Sequence, residues 1–371
     1  MVRVGIVGVG NIAAMFIQAI EYYGLSEDTV GLIHEIIDGY KASDIRIVYA
    51  VDVARTKVGK DVAEAIFAKP NTVPKLVDIR NLGVTVRMGR ILDGVAAHMV
   101  DDFQPAPLKE PTIDDLADEL KSYGVDVLVN LLPVGSSEAS RFYAEAAARA
   151  GVAFINCIPE FLASERSCCE LFERSYTIIL GDDIKGQLGS TIVHRTLTSL
   201  VAMRGAEIAE SYQLNVGGNT DFKNMLEQTR LASKKISKTA AVTSTLPKPE
   251  EAFQRVHAGP SGYIPFLGNT KVSYIYIKAR GFLGIPVVMD LKLVVDDKAM
   301  ASAVLMDVVR LAVALKKRGV KGCPHWASAP YFKHPPKQAR NEEEALINLY
   351  TNLERIGISI EPRKLHLFGA I

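Results

Sequence analysis

Residues 2–9 read VRVGIVGV, an apolar run that stops at Gly8-Val9-Gly10-Asn11-Ile12-Ala13 and passes directly into a helical pattern. No other feature constrains the chain as much, because a G-x-G-x-x-A turn works where a parallel strand feeds a helix packed on the same sheet. Gly8 permits the bend, Gly10 lets the backbone approach a pyrophosphate, and Ala13 keeps helix and strand close. Asn11 and Ile12 open the helix, whose N-terminus attracts negative charge. A second apolar segment, IRIVYAVDV, ends in Asp52, an acid placed to accept hydrogen bonds from an adenosine ribose. The interval from Gly10 to Asp52 is about twice the usual one, which implies an insertion; SEDTVGLIHEIIDGY reads as a capped helix within it, starting near Ser26. The turn predicts dinucleotide binding, and an acid at Asp52 disfavours a 2′-phosphate, so that NAD is the expected cofactor. The same pattern also fits a Rossmann-like fold whose glycines only pack.

Strand and helix patterns continue to alternate: VDVLVNLLPVG at 125–135, a helix from about 137 to 150, VAFINCI at 152–158, a helix near 164–174, and TIILG at 177–181. Apolar strands separated by helices indicate a doubly wound parallel sheet of the α/β class. Ligands bind such sheets at the carboxyl ends of the strands. The loops there run from Asn130 to Ser137, with Pro133 and Ser136; from Asn156 to Glu160; and from Gly181 to Lys185, with Asp183. Pro133, Ser136 and Asp183 therefore join Gly8, Gly10, Asn11, Ile12 and Asp52 as candidate cofactor contacts.

Near residue 195 the pattern changes. AEIAESYQLNV, KVSYIYIKA and PVVMDLKLVVDD alternate with period two and predict an open antiparallel sheet. After Asp297, KAMASAVLMDVVRLAVALKKRG is a helix on which Met300, Ala303, Val304, Val308, Leu311 and Leu315 share a face. The expected organisation is a Rossmann domain over 1–194, an inserted α+β domain over 195–297, and a return to the first domain with a C-terminal segment over 298–371. Two domains in simple succession are the alternative.

Composition narrows the function. The 371 residues are 48% hydrophobic with a formal net charge of +1, so a broad electrostatic footprint for nucleic acid is not expected. No apolar stretch reaches the roughly 18 residues that span a bilayer, and the N-terminus carries no leader pattern. Cys157, Cys168, Cys169 and Cys323 form no C-x-x-C or zinc-like spacing, which fits a reducing, cytoplasmic compartment. The seven histidines are scattered, with no pair at ligand spacing.

Chemistry is concentrated in RLASKKISKTAAV, residues 230–242. Lys234 and Lys238 are four apart and share a helix face, whereas Lys235 is rotated by about 100°. Phe222, Met225, Leu226, Thr229, Ala232 and Ile236 fall on one packing side of the segment after Asp221. Cations ending a helix complement its dipole, so a solvated helix end is one reading. Adjacent ammoniums satisfied by a phosphate or sugar anion are the other. LNVGGNTDFKN, just upstream, has glycines for close backbone approach and side chains able to hold hydroxyls.

Taken together, VGIVGVGN, LLPVGS, GDDIKGQLGSTIVHR, LNVGGNTDFKNMLE, SKKISKT, GPSGYIPFLGNTK and SAPYFKHPP resemble the myo-inositol-1-phosphate synthases in their shorter prokaryotic form, in unbroken order from about residue 3 to 340. The resemblance implies oxidation of glucose 6-phosphate at C5 by NAD, enolisation, aldol closure and re-reduction. It places active-site lysines at Lys234, Lys238, Lys271 and Lys333 and acids at Asp183, Asp221 and Asp297, with Lys235 a bystander. Gln187 and Ser190 in the phosphate-binding turn, with Asn215 and Asn219, are the implied substrate contacts. A homotetramer joined through the second sheet is also implied, and a divalent ion is an open option without ligands. Longer members carry serine where this chain has Gly186, and the adjacent acids leave Asp296 or Asp297 open. Rival readings are an NAD-dependent sugar-phosphate dehydrogenase, which would release NADH, and a nucleotide-sensing binding protein.

Overall fold

A computed structural model describes residues 1–362. The strands are β1 (Val2–Val7), β2 (His34–Ile37), β3 (Ile45–Asp52), β4 (Arg87–Met88), β5 (Val127–Asn130), β6 (Ala153–Asn156), β7 (Ile179–Leu180), β8 (Glu207–Gly217), β9 (Val256–Tyr263), β10 (Thr270–Arg280), β11 (Pro286–Asp296) and β12 (Ile360–Pro362). The helices are α1 (Asn11–Leu25), α2 (Val62–Ala65), α3 (Ile113–Ser122), α4 (Ser137–Ala150), α5 (Arg166–Arg174), α6 (Ser190–Met203), α7 (Thr220–Asn224), α8 (Gln228–Thr243), α9 (Pro249–Ala252), α10 (Asp297–Lys317), α11 (His325–Ser328) and α12 (Glu342–Arg355).

The first sheet is parallel, in the order β4-β3-β1-β5-β6-β7. Strand order reverses between β1 and β5, the switch point where doubly wound sheets bind ligands. Every residue of β5 and β6 is buried, so both faces are covered, as the continuous apolar runs require. Residues of α1 and α10 share one core with the sheet, and those of α3, α4 and α5 form the core on its other face. Local chemistry sets the helix limits. The Glu138 and Ala139 N–H groups donate to Asp93 at 2.8 and 2.9 Å at the start of α4, which stops at Gly151 with φ +67°; a left-handed residue suits glycine there.

The second sheet has the order β11-β10-β8-β9. β8, β10 and β11 are antiparallel as expected, and β9, which the sequence reading did not separate, adds a parallel edge to β8. Helices α6 and α8 share a core with this sheet. Its other face exposes Tyr212, Tyr274, Val288 and Val294.

Three expectations need correction. The segment after Ser26 is not a capped helix; its central part is β2, which pairs antiparallel with β12. The amphipathic segment after Asp221 is interrupted, with α7 ending at Asn224 and α8 starting at Gln228, so Leu226 and Ile236 are exposed at 56% and 46%. Helix α10 is buried all round from Val304 to Leu315 rather than along one stripe. In addition, Cys169 and Cys323 form a disulfide that joins α5 to the segment before α11. Among the described residues, no helix is long and apolar enough to cross a membrane.

Candidate active site

One cleft runs from the β1 turn to the lysines of α8. Gly8, Gly10, Asn11, Ile12, Asp52 and Pro133 line one end, and Asp183, Ser190, Asp221, Lys234, Lys238, Lys271, Asp297 and Lys333 line the other. Distant segments of the chain meet here, from the strand ends of the first sheet to Lys271 at the start of β10 and Asp297 at the start of α10.

At the first end, Gly8 has φ +88°, and a β-carbon there would lie 3.0 Å from the Leu131 carbonyl oxygen. Gly10 has nothing within 4 Å of its missing side chain, so it leaves a cradle that any larger residue would fill. It is also the N-cap of α1 and supplies no capping side chain, which keeps the first N–H groups of that helix available to an anion. Asp52 accepts the Val9 N–H at 2.8 Å on one oxygen and those of Val53 and Ala54 at 2.8 and 2.9 Å on the other. A carboxylate has about four acceptor positions, so one remains for a ribose hydroxyl. These residues fit a dinucleotide. Ser136, in contrast, does not line the cleft; its hydroxyl donates to the Pro133 carbonyl at 2.7 Å.

At the other end, Asp183 is fully buried with φ +62°, a region that aspartate tolerates better than most residues. Its neighbour Asp182 accepts from Asn156 and from the backbone of Leu162, Ala163 and Ser164, which anchors the turn and directs Asp183 into the cleft. Asp183 then accepts from Lys234 at 3.0 Å, Lys333 at 2.7 Å and Ser237 at 2.7 Å. Burial opposes its charge, but Lys234 and Lys333 hold the carboxyl far below its ordinary range. Burial also opposes the charge on Lys234, which Asp183 and Asp221 outweigh and raise. Lys333 is pushed down to about 8, chiefly by burial.

Lys271 pairs with Asp297. Burial disfavours the Asp297 charge, yet Lys271 and Lys298 hold its carboxyl well below the usual range. Asp296 is the N-cap of α10, accepting from the Lys298 and Ala299 N–H groups, so Asp297 is the acid that faces the cleft. Lys238 has no hydrogen-bond or ion-pair partner among the described residues. Burial, with Lys271, Lys234 and Lys333 nearby, pushes its ammonium well below the ordinary value. Lys235 lies outside this cleft and lines a separate one with Tyr212 and Tyr276.

Residues 189–298 match the family model of myo-inositol-1-phosphate synthase. The inositol-3-phosphate synthase of Mycobacterium tuberculosis is 44% identical over 340 residues, 91% of this chain and 92% of that protein. This chain belongs to the inositol-3-phosphate synthase family. The enzyme of that name from Corynebacterium glutamicum is 41% identical over 363 residues, 93% of this chain and 98% of that protein. A myo-inositol-1-phosphate synthase-related protein from Thermotoga maritima has the same fold, with a TM-score of 0.74 at 25% identity over 98% of this chain and 100% of that one.

Other motif residues of this inositol-3-phosphate synthase family member stand behind the cleft. Asn215 is fully buried; its Oδ1 accepts from Ser190, Gln213 and Ser273, and its Nδ2 donates to the Gly259 carbonyl. Asn219 caps α7, accepting from Asp221 and Phe222. Gln187 donates to the Gly31 carbonyl at 2.7 Å and does not line the cleft. At Gly186 a β-carbon would lie 3.1 Å from Met300 Cβ, so a side chain there would be tight.

The sequence reading missed Lys298, Lys57 and Asn71, all of which line the cleft. Lys57 is 3.6 Å from Asp52 and 3.2 Å from Asn71 Oδ1. A signal existed for Lys298, since a cation in the first turn of a helix opposes the dipole. Among the described residues, no group of three or more His, Cys, Asp or Glu side chains is placed to hold a metal ion.

Proposed function

We propose that this chain converts D-glucose 6-phosphate to 1L-myo-inositol 1-phosphate, also written 1D-myo-inositol 3-phosphate, with NAD and no net redox change, the first committed step of inositol biosynthesis. The supporting observation is the single cleft that joins a dinucleotide cradle to a buried lysine cluster. Bound NAD supplies oxidation at C5 and later the reduction of the cyclic ketone. The phosphate is assigned to the turn at Gly186–Ser190 and the start of α6, which carries no side-chain cap at Gly189, with lysine.

The lysines divide the remaining work. Neutral Lys238 takes the C6 proton, leaving an enolate and an ammonium; the same ammonium returns a proton to the C1 oxygen when C6 attacks the aldehyde carbon. Its depressed pKa and lack of a carboxylate partner support this role. Lys234, Lys271 and Lys333, each paired with a carboxylate, stay fixed as cations near the oxygen on which charge develops. Removing one such donor from a water-poor site typically costs roughly 10²–10³ in rate. In this reading the segment 195–297 is an inserted domain, and its second sheet joins subunits into a homotetramer.

Glucose 6-phosphate labelled with deuterium at C5, incubated with protein and excess unlabelled NAD, is expected to give cyclic product that keeps the label. Mass spectrometry of the product decides. Transfer of deuterium to free NADH without cyclisation would establish the simple dehydrogenase instead.

A further inference from the structure

Lys298 is a buried cation of the cleft, 5% exposed, to which the chemistry above gives no role. Its place in the first turn of α10 is unfavourable for a positive charge, and a buried ammonium needs partners. Two carboxylates provide them: Nζ lies 3.4 Å from Asp297 Oδ2 and 3.7 Å from Asp221 Oδ2. The other Asp297 oxygen accepts from Lys271, and Asp296 fixes the backbone of the turn at the Lys298 N–H. Lys271, Asp297, Lys298 and Asp221 thus form a chain of alternating charge that ties β10, α10 and α7 together at the cleft.

Resting on the function given above, we propose that Lys298 is a positioning residue, which holds Asp221 and Asp297 in place and through Asp297 aims the Lys271 ammonium at the sugar phosphate. The two acids are within reach of one ammonium, so without it they repel each other. Asp297 is then free to turn from Lys271. The charged groups that act on Asp297 are Lys271 from β10, Lys234 and Lys238 from α8, Asp221 from α7 and Lys298 beside it. Loss of Lys298 removes one of these cations, so the Asp297 carboxyl binds a proton at higher pH and the acid limb of kcat/KM moves up.

The test compares Lys298→Met, which keeps the length and removes the charge, with Lys298→Arg, using the full chain with NAD. For Lys298→Met, kcat is expected to fall roughly a hundredfold, the cost of misplacing a reacting group by about 1 Å, and KM for glucose 6-phosphate to change less than about threefold. The acid limb should rise by about half a pH unit or more. Lys298→Arg should restore both kcat and the limb. An unmoved acid limb with kcat within about threefold of wild type, or a loss that arginine leaves in place, overturns the proposal. If wild type makes no cyclic product, the functional reading fails separately. A crystal structure of Lys298→Met then decides: Asp297 displaced from Lys271 supports the assignment, and an undisturbed pair removes it.

Discussion

At the residue scale, burial and charge set Lys234, Lys238, Lys271 and Lys333 apart from one another. Lys271 is buried at the cleft and pairs with Asp297, so Lys271→Ala should lower turnover by at least roughly a hundredfold and leave NAD affinity nearly unchanged. Activity close to wild type would remove Lys271 from the site. Lys235→Ala serves as the contrast, with kcat within about threefold of wild type; equal damage from both changes would mean that the face of α8 has been misassigned. Lys333 is held at about 8 by burial, so its cation is present below that pH and lost above it. The prediction is a base limb in kcat/KM with a midpoint near 8, and in Lys333→Arg that limb should move upward because guanidinium stays charged. A limb unmoved by arginine would assign it to another group. The helical spacing of Lys234 and Lys238 was legible from sequence. The identity of their partners was not, because Asp183 is about fifty positions away and is aimed by a local turn anchored on Asp182.

At the element scale, β1, β3, β5, β6 and β7 of the first sheet were readable because they are continuous apolar runs bounded by glycines and acids, whereas the edge strand Arg87–Met88 is too short and polar to show. β2 was not readable either. SEDTVGLIHEIIDGY has a cap-like start and apolar residues at near-helical spacing, yet His34–Ile37 pairs with Ile360–Pro362, a partner at the far end of the chain. Strand pairing over that separation leaves no local signature. The β1 turn and the end of β3 act as one device, since Asp52 binds the Val9 N–H inside the glycine turn. Asp52→Ala should therefore weaken NAD binding and also erode the preference for NAD over NADP, both measurable by titration calorimetry. Tighter binding of NADP by the unmodified protein would refute the ribose role of Asp52. At α10, Asp296 accepts two N–H groups, so Asp296→Ala should lower stability by about 1 kcal/mol, read from chemical denaturation; no loss would show that the turn is held by the charge chain alone.

At the scale of the whole molecule, the open face of the second sheet carries Tyr274 at 42% and Val294 at 54% exposure, beside the stacked pair Tyr212 and Tyr276. Apolar area of this kind on a sheet face suits contact with another copy, and light scattering is expected to report a tetramer that Tyr274→Glu reduces to smaller species. A monomeric wild type would refute the assembly. Helix α10 has a different consequence, for synthesis. It packs with α1 on one face of the first sheet, although almost three hundred residues separate it from β1. At about 5–20 residues per second, the nascent chain waits roughly 15 to 60 seconds with the apolar surface of β1, β5 and β6 uncovered until α10 leaves the ribosome. Folding of the N-terminal half is therefore a late event, and a chain halted at residue 296 should be captured by chaperones or recovered as aggregate.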